Sequence, residues 1–88
     1  MNKTERKLLA GKAIKSLMQS YGARLVYQNI YKTGTRSIKM YQSVLSGENE
    51  MIKLKEQITD LADMFDLDVK FNITKRGQYS SPAFIAKL

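Results

Sequence analysis

Residues 24–47 read RLVYQNIYKTGTRSIKMYQSVLSG, and the order of elements along the chain turns on how this stretch folds. Val26 and Ile30, with Tyr27 beside them, fall on one side at helical spacing, which predicts a short helix over residues 23–32 closed by Gly34. A further helix is predicted from Thr35 or Arg36, carrying Ile38, Tyr41, Val44 and Leu45 up to the Ser46-Gly47 joint. Two short helices meeting at a tight glycine joint have the form of a helix-turn-helix. Segments this short do not persist in water on their own, so both must be held by the rest of the chain.

The flanking sequence supplies the support. Before the central stretch, Leu8, Leu9, Ala13, Ile14, Leu17 and Met18 recur every three or four positions, predicting an amphipathic helix over residues 4–21 with Thr4 as its cap. After it, Leu54, Ile58, Leu61, Ala62 and Phe65 predict a longer helix over residues 51–65. The period then changes to two, with Leu67, Val69, Phe71 and Ile73 alternating with polar residues, the pattern of a half-buried strand. Lys75-Arg76-Gly77-Gln78 reads as a turn, and a second strand returns from Tyr79 past Pro82 through Phe84 and Ile85. The expected fold is therefore mostly α, a compact four-helix helix-turn-helix domain with a C-terminal β-strand or β-hairpin. It is a single domain over residues 1–88, with its core in residues 4–65 and the hairpin in about 67–86.

Composition limits the chemistry. A chain of 88 residues can build one small core. Its 43% hydrophobic content is too high for a disordered basic tail. Cysteine and histidine are both missing, which removes disulfides, thiol nucleophiles, Cys/His zinc sites and histidine-based catalysis together. Asp60, Asp63, Asp66 and Asp68 lie close in sequence but lack the glycine and terminal Glu of a calcium loop, so no metal is expected. No glycine-rich phosphate loop is present, and neither a cofactor nor enzymatic activity is expected. No apolar run approaches the roughly 20 residues needed to cross a bilayer, and the N-terminus lacks an apolar signal core, so the expectation is a cytoplasmic protein without a membrane partner.

What remains is binding, and charge says where. Fifteen Lys and Arg against eight Asp and Glu give a net charge of +7. Residues 1–20 carry Lys3, Arg6, Lys7, Lys12 and Lys15 against Glu5 alone, and residues 21–47 add Arg24, Lys32, Arg36 and Lys39 with no acid. Residues 48–68 reverse the sign, and the last twenty restore it with Lys70, Lys75, Arg76 and Lys87. A domain with a basic front and an acidic back orients itself toward a polyanion. On a recognition helix over residues 36–45, Arg36 and Lys39 reach phosphates or guanine edges, Gln42 offers its amide to adenine, and Ser37 and Ser43 bond to backbone or base.

The stretch YQSVLSGENEMIKLKEQITDLADMFDLDVKF, within residues 24–73, resembles the second half of the Cro and lambda-repressor-like family. Gly47 is similar to the glycine after the recognition helix, and Leu54, Ile58, Leu61 and Ala62 to the packing helix. Val69 and Phe71 are similar to the strand that some members append. The resemblance implies operator binding as a symmetric homodimer, with Arg36, Ser37, Lys39, Met40, Gln42 and Ser43 on the DNA and Arg24 nearby. It implies a sequence-specific regulator of transcription acting on double-stranded DNA, a repressor by occupancy and a product of a mobile element.

Two other readings stand beside this one. Tyr21, Tyr27, Tyr31 and Tyr41 lie among Arg24, Lys32, Arg36 and Lys39, a composition that stacks on unpaired bases, although helical spacing turns Tyr27 and Tyr41 toward the core. Lys75, Arg76 and Tyr79 form a further possible nucleic-acid contact in the terminal turn. The alternative function is a small protein-interaction module or an inhibitor of a nucleic-acid-processing enzyme, using the acidic surface or the C-terminal hairpin on a protein partner.

Overall fold

The computed structural model describes residues 1–23, 25–41, 47–74 and 82–88. Its elements are α1 (Lys3–Ser20), β1 (Val26–Ile30), β2 (Arg36–Met40), α2 (Glu48–Met64), β3 (Lys70–Ile73) and β4 (Phe84–Lys87). The four strands form one antiparallel sheet in the order β1-β2-β4-β3. The chain thus runs helix–strand–strand twice, and the second strand of each half meets its counterpart at the centre of the sheet.

This α+β architecture overturns the four-helix expectation. The helices predicted over residues 23–32 and from residue 35 are the antiparallel pair β1 and β2, so the described residues contain no helix-turn-helix. The error has a simple origin. Residues four apart share a face both in a helix and in a strand, so Val26 and Ile30 fit either period. What separates the two is composition, since β-branched and aromatic side chains crowd this stretch and favour the pleated form. Gly34, at φ +89°, closes the hairpin: its N–H donates to the Tyr31 carbonyl at 2.9 Å, and the Tyr31 N–H donates to the Thr35 carbonyl at 2.9 Å. That is the three-residue connection in which the last loop position takes a positive φ.

The two predicted helices that survive are capped in recognisable ways. Asn2, not Thr4, caps α1, its side-chain oxygen accepting from the Glu5 N–H at 2.8 Å. Both helices leave by the same route. The Ala23 N–H reaches back to the Met18 carbonyl and the Gly22 N–H to that of Gln19, while Leu67 and Asp66 do the same to Ala62 and Asp63. This is the Schellman exit, which needs a left-handed residue after the cap. Gly22 fills it in α1 at φ 93°, but α2 uses Asp66 at φ 55°. Asp66→Gly is therefore expected to stabilise the fold by about 0.5–1 kcal/mol, read as a higher urea midpoint at unchanged slope. A lower midpoint would show that the Asp66 side chain repays its strain.

Both helices pack on the same side of the sheet. Ala10, Ile14 and Met18 of α1 and Leu54, Ile58 and Ala62 of α2 are fully buried together with Ile38, Met40, Phe84 and Ala86 of the two central strands. Gly11 faces β1, where a Cβ would displace the tip of the Gln28 side chain. Tyr21 donates its hydroxyl hydrogen bond to Gln57, tying the end of α1 to α2. The expected C-terminal hairpin is present as β3 and β4, with Phe71 and Ile73 on the helix side as their spacing predicted. It does not stand as an appendage, because β4 also pairs with β2 and occupies the middle of the sheet.

Candidate nucleic-acid interface

The register places a defined set of side chains on the sheet face opposite the helices. Asn29, Ser37, Lys87 and Lys70 are mutual partners across the four strands, and Tyr27, Lys39, Ile85 and Asn72 form the next row. Each row spans about 14 Å at the usual interstrand spacing. Among the described residues no helix lies over this face. Tyr27 is 54% exposed and Tyr31, just beyond β1, is 45% exposed.

The strand positions of this face carry three lysines and no acid. Lys70 and Lys87 are direct cross-strand partners and both are exposed. Like charges placed opposite each other cost stability, a cost that a bound anion offsets. Lys39 donates to the Tyr31 hydroxyl at 3.4 Å. Tyr27 meets Tyr41 edge to face, ring centroids 5.6 Å apart at 82°, a contact that steadies its ring while the residue stays 54% exposed. A shallow depression of about 540 Å³ runs beside these groups, lined by Tyr31, Thr33, Ser37, Lys39, Ile85 and Lys87 among others. Glu48, Glu56, Asp60 and Asp63 are exposed on α2, while Asp66 and Asp68, just before β3, line a depression at the edge of this face together with Lys70 and Lys87.

The residues named from sequence are dispersed by this arrangement. Among those that are described, Lys39 alone stands on the open face within reach of a ligand. Ser37 shares that face but is covered to 2% exposure by its neighbours. Met40 is fully buried in the core, and Arg36 lies on the helix side of the sheet. Arg24, Gln42, Ser43, Lys75, Arg76 and Tyr79 lie outside the described residues. In a strand, neighbours alternate between faces, so Arg36, Ser37, Lys39 and Met40 cannot all address one ligand as they would on a helix. The sequence reading passed over Asn29, Asn72, Ile85 and Lys87 and turned Tyr27 inward. The β-branched and aromatic residues of 26–31 were the signal: read as a strand, this stretch places Tyr27, Asn29 and Tyr31 together on one side.

No family model matches the chain, and neither a curated protein nor a solved structure matches it. Among the described residues no helix is long and apolar enough to cross a membrane, and no group of three or more acidic residues could hold a metal ion.

Proposed function

We propose that this protein binds single-stranded nucleic acid on the open face of its sheet. The observation that carries the reading is the exposed Tyr27, edge to face with Tyr41 and directly opposite Lys39, on a sheet face whose strand positions also carry Lys87 and Lys70 and no acid. Unpaired bases expose their π-faces and stack on such rings, while the lysines neutralise the backbone. Four-stranded sheets that present aromatic residues bind RNA by this chemistry. A duplex hides its base faces, and without a recognition helix among the described residues it gains only phosphate contacts here.

The test is a fluorescence anisotropy titration with a labelled dodecamer, single-stranded and as its duplex, at two salt concentrations. The single strand is expected to bind more tightly, with log affinity falling against log salt at a slope of about −2 for three lysines. Duplex binding equal to or tighter than that of the single strand overturns the reading and returns the operator-binding regulator as the function to pursue. Absence of binding to either form overturns both.

A further inference from the structure

On the other side of the β1–β2 turn, the first turn of α1 and the start of β2 enclose a separate hollow of about 290 Å³. Lys3, Thr4, Lys7, Ile30, Thr33 and Arg36 line it, and no acidic residue does. Arg36 is the notable member. It is 8% exposed, and its Nη1 is buried without a hydrogen-bond partner. A guanidinium taken out of water needs an acceptor, and here the protein supplies none to that nitrogen. Lys7 stands beside it, its Nζ donating to the Gly34 carbonyl at 3.0 Å, which pins the ammonium against the hairpin turn.

The backbone contributes in the same direction. Asn2 satisfies the Glu5 N–H, leaving the N–H groups of Lys3 and Thr4 without intrahelical acceptors at the positive end of an eighteen-residue helix. Two lysines, an incompletely paired buried arginine and two threonines line one small volume beside a helix N-terminus. We propose that this hollow is a binding site for a phosphate group. The planar guanidinium and the helix N-terminus both suit a tetrahedral oxyanion with several acceptor oxygens.

Two sources carry that chemistry: free phosphate, and the terminal phosphate of a nucleic-acid strand. Thr33 lines both this hollow and the depression on the open face, so a strand lying on the sheet reaches the hollow by rounding the hairpin turn. An end fits better than an internal phosphodiester, because an end does not have to leave again. The strand-end source rests on the single-strand reading above, whereas the anion chemistry of the hollow does not.

The experiment is an amide-resolved NMR titration of the full chain with inorganic phosphate, against chloride at equal ionic strength. Saturable shifts confined to Lys3, Thr4, Lys7, Gly34 and Arg36 are expected with phosphate alone. Arg36→Met should weaken them more than about tenfold, the usual loss for a hydrogen bond to a charged group. Because Arg36 is buried, the exposed-side variant Lys3→Gln/Lys7→Gln provides a second reading in a protein whose core is untouched, and weakening in the same direction is expected. Dodecamers ending in 5′-phosphate, 3′-phosphate or hydroxyl identify the source. Tighter binding of a phosphorylated end, erased by Lys3→Gln/Lys7→Gln while hydroxyl-ended binding stays unchanged, supports a strand end. Inorganic phosphate binding without any end preference supports the free anion. No localised phosphate shift, or shifts unaltered in both variants, overturns the site, and binding of the hydroxyl-ended strand reports independently on the sheet face.

Discussion

Phe84→Ala is expected to remove about 3–5 kcal/mol of folding stability, the usual cost of emptying a buried phenylalanine site. A domain of this length has roughly 4–13 kcal/mol to lose, so the variant is at or near global unfolding at physiological temperature. The position explains the size of the effect. Phe84 is fully buried in β4, the strand that joins the two halves of the sheet. Its register partners are Met40 on β2 and Ile73 on β3, and its ring meets Phe71 edge to face at 5.6 Å. Truncation therefore opens a cavity where both hairpins and both helices converge. With a slope near 1 kcal/mol per molar urea, the midpoint should fall by about 3–5 M, whereas Phe84→Leu should cost under about 1.5 kcal/mol. A loss below about 1 kcal/mol for Phe84→Ala would contradict β4 as a central, helix-covered strand.

The second large effect concerns binding. Tyr27→Ala is expected to weaken single-strand affinity about tenfold to a hundredfold, the range found when one base loses its aromatic platform. Stability should change by less than about 1 kcal/mol, because the ring is mostly in solvent and loses chiefly its edge contact with Tyr41. Tyr27→Phe keeps the π-face and should retain most of the affinity. The chain has no tryptophan, so quenching of tyrosine emission by bound bases offers a second readout that Tyr27→Ala should diminish. Affinity unchanged by Tyr27→Ala but reduced by Lys39→Ala would leave an electrostatic surface without stacking.

Legibility followed the physics of each segment. The helices α1 and α2 were readable because their apolar residues recur over several turns, long enough for a period of 3.6 to separate from one of two. Their boundaries moved, α1 beginning under Asn2 and α2 under Gly47, and Leu8 and Leu9, counted in the apolar stripe of α1, lie exposed. The alternation from Leu67 to Ile73 announced β3 in the same way. The stretch around Gly34 failed because five-residue strands hold too few apolar positions to distinguish the periods, and one misjudged period moved each candidate contact. Lys39 kept a half-buried place on the open face, whereas Arg36 passed from an expected DNA contact to a buried cation under α1 and Met40 to the core. The uneven distribution of charge was visible in the residues alone; four exposed acids lie on α2, while Asp66 and Asp68 sit beside Lys70 and Lys87.

By itself the sequence determined a helix in each half, the alternating strand after the second helix, a basic surplus and a composition without thiol or imidazole. These follow from local periodicity and from counting. Only the tertiary structure decided that β4 inserts beside β2, that the helices share one face, and that Tyr27, Lys39, Lys70 and Lys87 meet on the other. Those relations depend on strand pairing between residues up to about fifty positions apart, as in Ser37 with Lys87. Local propensity carries no record of such pairing, because a strand has no preferred neighbour until a partner in the right register buries its apolar side.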